Sequence, residues 1–313
     1  MPEYHKPVLV NEIISLLDPR EGGVFLDGTL GGGGHSEAIL ERIGSDGILI
    51  GIDRDPEAIE YAGQRLKRFG ESVRLVRANF RDLGSVLESL GVGELDGALF
   101  DLGVSSHQLD AERGFSFSRD EELDMRMNPA EGTASAADIV NIYSEQNLAD
   151  LIWRYGEERY SRRIAKAIVE RRGAGRITRT GELAEIVVSA IPAKNRWQQD
   201  IHPATRTFQA IRIVVNRELE AVEEGVPAAI EALKIGGRVA VISFHSLEDR
   251  IVKNTFRRYA GHCECPPRLP ECRCGAKKVL EVVTKKPVIP SADEIRDNPR
   301  SRSSRLRVGQ KIA

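Results

Sequence analysis

A parallel, doubly wound α/β sheet interrupted by a helical insertion is the fold class this sequence predicts. Three observations predict it. Short, continuously apolar runs alternate with helix-like stretches over the first hundred residues. The alternation then stops, and residues from about 105 to 205 hold no convincing strand. Four consecutive glycines, Gly31 to Gly34, separate the first apolar run from the first helix-like stretch.

Strands are expected at residues 23–27, 47–53, 73–76 and 95–101. Their apolar residues run on without alternation, the pattern of strands covered on both faces, as in a parallel sheet. Helices are expected at 35–42 and 81–90, and another starts at Asp55-Pro56, with Asp at the cap and Pro in the first turn. The insertion reads as helical at 147–155, 161–172 and 180–190. A strand signal returns at 237–243, and 279–283 with 305–308 can close the sheet as an antiparallel pair.

The chain of 313 residues is 41% hydrophobic and 29% charged, ordinary for a globular protein. No apolar run approaches the ~18 residues that span a bilayer. The N-terminus lacks the basic start and apolar stretch of a signal peptide, so a cytoplasmic protein with no membrane partner is expected. Net charge is −2, but its distribution is uneven. Between Arg154 and Arg217 there are 14 Lys or Arg against 6 Asp or Glu, and between Arg296 and Lys311 there are 6 against 1. A solvated helical face explains either segment alone; two together point to a polyanion.

In an open α/β sheet, ligands bind beyond the carboxyl ends of the strands. The glycines follow the first strand and precede a helix N-terminus, where amide N–H groups are unpaired and the backbone dipole is positive. Asp53 ends the second strand, where a carboxylate can accept hydrogen bonds from ribose hydroxyls. Asp101 ends the fourth strand and faces the same crevice, and Asp27 precedes the glycines. The spacing fits a dinucleotide or S-adenosylmethionine. It does not fit a P-loop, because no Gly-Lys-Ser/Thr follows. An acidic residue beside the loop suits a cationic amino group better than a pyrophosphate, which favours S-adenosylmethionine over NAD.

Nine stretches carry a resemblance: HKPVLVNE (5–12), DGTLGGGGHS (27–36), GIDRDPEAI (51–59), DLGVSSHQLD (101–110), RGFSF (113–117), LDMRM (123–127), YGEER (155–159), HPATRTFQAIRI (202–213) and SFHSLEDRIVK (243–253). Together they resemble the RsmH, or MraW, family of bacterial enzymes that methylate N4 of a P-site cytosine in 16S ribosomal RNA. The resemblance extends into the Arg-rich tail, NPRSRSSRLR. It implies a class I, Rossmann-like methyltransferase sheet built from residues 1–105 and 206–313. Residues 106–205 would form an inserted helical substrate-recognition domain. It also implies S-adenosylmethionine contacts at Gly33, Gly34, His35, Asp53, Phe80, Asp101 and Gln108, and 16S ribosomal RNA of the small subunit as partner. Read from the residues alone, Phe80 is equally a core aromatic, and Gln108 and His35 are unremarkable loop polars.

Cytosine N4 is a poor nucleophile because its lone pair is delocalised into the ring. An enzyme helps by accepting hydrogen bonds from N4 and holding it in line. Asp101, or the carbonyls after it, is placed to do this. His245, just after a strand, is a second proton acceptor, with Phe244 able to stack on an extruded base. The structural alternative is that Ser246 and Asp249 cap the following helix. Arg159, Arg162, Arg163, Lys166, Arg206 and Arg212 are candidate phosphate contacts, and Trp197 a candidate base platform. Cys263, Cys265, Cys272 and Cys274 form two Cys-x-Cys pairs that admit a structural zinc, although the usual spacing is Cys-x₂-Cys. Two rival functions stand beside methyl transfer: an NAD-dependent oxidoreductase, and a non-catalytic RNA-binding ribosome-assembly factor that uses the cofactor structurally.

Overall fold

The computed structural model describes residues 6–105, 108–109, 112–196, 201–263, 265, 273 and 276–313. The chain divides into two compact units, residues 1–103 with 219–313, and residues 104–218.

The first unit is built on seven strands: β1 (Val24–Asp27), β2 (Ile48–Asp53), β3 (Val73–Arg77), β4 (Leu95–Asp101), β5 (Leu233–Ser243), β6 (Leu280–Val282) and β7 (Arg305–Lys311). Their order across the sheet is β3-β2-β1-β4-β5-β7-β6. β1 to β5 pair in parallel, and β7 runs antiparallel to both β5 and β6. Five parallel strands thus carry an antiparallel hairpin at one side. The closing pair expected from the tail is therefore present. β5 begins at Leu233, earlier than the apolar pattern suggests.

Successive residues of each central strand feed opposite cores, as the two-residue period of a strand requires. Leu26, Ile50, Phe100 and Val241 enter one buried cluster. Phe25, Leu49, Leu99, Ala240 and Ile242 enter the other. Burial of a side chain such as Phe100 is worth about 1.5–3 kcal/mol, so neither face can be opened cheaply. Helix Pro56–Leu66 starts as expected, with the Asp55 carboxylate accepting from the Glu57 amide. Among the described residues, no helix is long and apolar enough to cross a membrane.

The second unit is helical, with Ala136–Ile142, Glu145–Gly156, Ser161–Arg172, Thr180–Ala190 and Thr205–Asn216 around one apolar core. Its described residues hold no strand beyond an isolated bridge between Glu122 and Arg179. The second boundary lies at 218/219, not at 205/206. Helix Thr205–Asn216 buries Phe208, Ala210, Ile211 and Val215 in the helical core, so it belongs there. Gly156 permits this, because a β-carbon on it would meet the Arg206 carbonyl oxygen at 2.6 Å.

Asn216 pins the unit from inside. Its Oδ1 accepts from the Met127 amide at 2.8 Å, and its Nδ2 donates to the carbonyls of Met125 at 2.7 Å and Arg212 at 3.0 Å. Asn216→Ala would strand the buried Met127 amide and Met125 carbonyl. At about 1 kcal/mol per hydrogen bond lost, unfolding free energy should drop by about 2–3 kcal/mol, read from the urea midpoint.

Candidate functional site

Three parallel strands end in carboxylates at the same edge of the sheet. Asp27 ends β1 opposite Gly51 and Leu99, Asp53 ends β2, and Asp101 ends β4. The glycine loop folds over this edge. The Asp53 carboxylate accepts the Gly31 amide at 2.9 Å and the Asp55 amide at 2.9 Å. The Asp27 carboxylate accepts the Thr29 amide at 3.1 Å and the Ser36 hydroxyl at 2.7 Å. The Asp101 amide donates to Thr29 Oγ1 at 2.5 Å, tying β4 to the loop after β1.

The loop enters helix Gly34–Ile43 through Gly33, whose φ of +73° is the left-handed conformation that glycine takes at little cost. No side chain caps that helix, which leaves its first amides for another acceptor. The β-carbon directions of these glycines are filled by protein. One on Gly33 would meet Ala62 at 3.3 Å, and one on Gly34 would meet Pro7 at 2.9 Å. Part of the glycine requirement is therefore internal packing.

His35 is buried, with Nε2 2.8 Å from the Val8 carbonyl oxygen. That carbonyl can only accept, so Nε2 carries the proton and Nδ1 is an acceptor. Nδ1 faces Asp101 Oδ2 at 3.6 Å. Burial, opposed by the Val8 bond and aided by Arg65, lowers the His35 pKa to about 4. Burial, with the charges of Asp27 and Glu248, pushes Asp101 well above the carboxylate range. Both shifts favour the neutral forms, an uncharged imidazole facing a carboxyl, over an ion pair. Asp101 Oδ1 is buried without a hydrogen-bond partner among the described residues. Burial likewise raises Asp27 and Asp53, each to about 6, against the hydrogen bonds they accept. The orphaned oxygen of Asp101, with the buried carboxyls of Asp27 and Asp53 beside it, suits a ligand that brings positive charge and hydrogen-bond donors.

Phe80 opens a short 3₁₀ turn after β3. Its ring meets Phe100 edge-on at 5.3 Å, and a β-carbon on Gly225 would strike it at 2.4 Å. The ring is thus held firmly while remaining only partly buried. Gln108 lies in the second unit, with its Oε1 accepting from the Ser105 amide at 3.0 Å.

His245 caps helix Ser246–Tyr259. Its Nδ1 accepts from the Glu248 amide at 3.4 Å, and the Glu248 carboxylate accepts from the amides of Phe244 and His245. Neither Ser246 nor Asp249 performs that task. Asp249 instead binds Arg307, with contacts of 2.7 and 3.1 Å. His245 Nε2 lies 3.1 Å from Glu248 Oε1 without hydrogen-bond alignment.

In the second unit, Arg212 forms a fork-like pair with Glu218 at 2.9 and 2.8 Å, which removes it from the phosphate contacts expected. Arg159, Arg162, Arg163 and Lys166 are exposed, whereas Arg206 donates to the Glu157 carbonyl. Trp197, Cys272 and Cys274 lie outside the described residues. The Cys265 amide donates to Cys263 Sγ at 3.4 Å, and the Arg273 amide to Cys265 Sγ at 3.3 Å. Thr29 and Ser36 were missed by sequence reasoning. Both flank the glycines, but no rule marks which hydroxyl will brace which carboxylate.

The model of the MraW methylase family matches residues 3–312. The small subunit ribosomal RNA methyltransferase H of Heliobacterium mobile is 54% identical over the full length of both chains. The protein of the same name from Geobacter sulfurreducens is 54% identical over 98% of this chain and 99% of its own. Among solved structures, an rRNA methylase from Streptococcus thermophilus covers 97% of this chain and 94% of its own, with 10% identity and a TM-score of 0.42.

A carboxyl raised by burial stabilises the fold fully below the unfolded value near 4 and loses that contribution as pH rises toward its folded value. Asp101→Asn should therefore match the wild type in urea unfolding at pH 4 and exceed it at pH 7, without ligand. Equal stability of the two proteins at pH 7 would refute the protonated carboxyl.

Proposed function

Because the chain belongs to the MraW methylase family, we propose that it methylates the N4 amino group of a P-site cytosine in 16S ribosomal RNA, with S-adenosylmethionine as donor. The observation that carries this reading is the crevice of Asp27, Asp53 and Asp101, with the partnerless Oδ1 of Asp101 buried in it. When bound, the cofactor supplies an electrophilic sulfonium methyl group.

The residues present fit such a cofactor. Gly33, Gly34 and His35 form the loop and helix start that would meet its methionine portion. Asp53 would hold the ribose hydroxyls on lone pairs its two backbone donors leave open. Phe80 would pack on the adenine. The protonated state of Asp101 would give way to the carboxylate once a cationic ligand arrives. Gln108 is assigned with them on the family motif alone.

Transfer leaves N4 with one proton too many, and a positioned acceptor must orient the amino group and receive that proton. Asp101 has the orphaned oxygen for this. His245 is the second acceptor, although its Nδ1 is spent on the helix cap. The exposed Arg159, Arg162, Arg163 and Lys166 would hold phosphates of folded RNA within the small subunit. The work would proceed in the cytoplasm, where subunits are assembled.

We also propose a structural zinc at Cys263, Cys265, Cys272 and Cys274. Amide donors to the sulfurs of Cys263 and Cys265, which favour thiolate, support it. One zinc per chain should be found by elemental analysis of protein purified without added metal, and Cys263→Ser should abolish it; a metal-free wild type would rule the site out.

The central test uses labelled S-adenosylmethionine and small subunits from cells lacking this protein. The expected product is N4-methylcytosine at one P-site position, mapped by mass spectrometry, and Asp101→Ala should cut the rate by about 100-fold or more. Cofactor binding without label on any subunit would favour the assembly-factor reading.

A further inference from the structure

β5 ends at Ser243, where it pairs with Arg305 at the start of β7. Beside this junction lies a cleft of about 360 Å³. Its walls are of two kinds. Phe244, Ile289, Pro290 and Ile295 are apolar, and Ile289 is 65% exposed. His245, Ser246, Arg302, Ser303, Ser304 and Arg305 are polar or basic. The start of the 14-residue helix Ser246–Tyr259 borders it through His245 and Ser246, its cap closed by His245 and Glu248.

Ser304 is the telling residue. It is 1% exposed, lines the cleft, and its Oγ has no hydrogen-bond partner among the described residues. A buried hydroxyl without a partner costs free energy unless something outside the fold completes it. The acidic groups nearby are already engaged. Asp249 is held by Arg307 and approached by Arg305 at 3.5 Å, and Glu248 closes the cap with His245.

We propose that this cleft seats one nucleotide of RNA flanking the target, with its phosphate on Ser304, Arg302 and Arg305 and its base or ribose on Ile289 and Pro290. The inference rests on the ribosomal RNA reading above. Register supports it, since Asp101 pairs with Ile242 on β5. The cleft therefore lies at the same edge of the sheet as Asp101, about 10 Å away at two strand spacings. A strand with its target base at Asp101 passes over it. Volume and mixed lining match a small-ligand site, while the basic wall excludes a purely apolar ligand.

The test measures binding of small subunits and of single-stranded RNA across salt concentrations, alongside methylation kinetics. Arg302→Ala, at an exposed position, should lower the slope of log affinity against log salt by about 0.7–0.9. Ser304→Ala should raise the subunit KM by about fivefold to tenfold. It should leave the affinity for S-adenosylmethionine unchanged and hold or slightly raise the melting temperature, because no internal hydrogen bond is lost and an unmatched buried hydroxyl is removed. A structural serine would instead lower the melting temperature and leave the subunit KM in place. Unchanged salt slope and KM in both variants, with an active wild type, would overturn the cleft proposal alone. A wild type that neither binds nor methylates RNA would overturn the functional reading and this inference with it.

Discussion

The buried edge where β1, β2 and β4 end is the constraint on which the rest of the first unit depends. Parallel pairing leaves three strand ends side by side, and each ends in an aspartate. Removing carboxylates from water is costly unless donors replace it. The loop after β1 supplies the amides of Thr29 and Gly31, the helix after it supplies the Ser36 hydroxyl, and the turn after β2 supplies the Asp55 amide. The path of the glycine loop follows from this. Its left-handed turn at Gly31 aims that amide at Asp53, and the one at Gly33 returns its amide to the Leu30 carbonyl. Of the three, Asp101 alone keeps an oxygen with no donor among the described residues.

That edge is braced by the two ends of the chain. The Leu9 amide donates to Glu294 at 2.7 Å, and Asn298 donates to the Lys6 carbonyl at 3.3 Å. Pro7 in turn fills the space beside Gly34, and the Val8 carbonyl sets the tautomer of His35. The tail thus holds the N-terminal segment, and that segment holds the glycine loop. Further along, Arg307 and Asp249 lock β7 to helix Ser246–Tyr259. Removing one member of such a buried pair costs about 3–5 kcal/mol, because the other charge is left alone.

The motif around His245 shows how a residue whose type suggests chemistry can be held by a structural task. A histidine at a helix cap has one ring nitrogen engaged by the backbone, and its orientation is then set without further partners. Arg212 shows the opposite outcome. It sits in a basic segment and carries the charge of a phosphate contact, but Glu218 occupies its guanidinium fork. Charge counted along a chain does not distinguish a cation facing solvent from one already paired.

The sequence by itself determined the fold class, the carboxyl ends of β1, β2 and β4, the glycine loop and the helical insertion. These are written in short-range signals: apolar periodicity, capping residues, glycine and proline. It also determined the family, because long unusual motifs survive as strings. Tertiary structure alone decided what those residues meet. It decided that Gly34 makes room for Pro7, that Thr29 and Ser36 brace Asp101 and Asp27, and that His245 is the cap and Asp249 is not. It placed helix Thr205–Asn216 in the helical unit and left the Ser304 hydroxyl buried without a partner among the described residues. The reason is physical. Local conformation follows from a few neighbouring residues, whereas burial and partner choice depend on which distant segments the register and packing bring together.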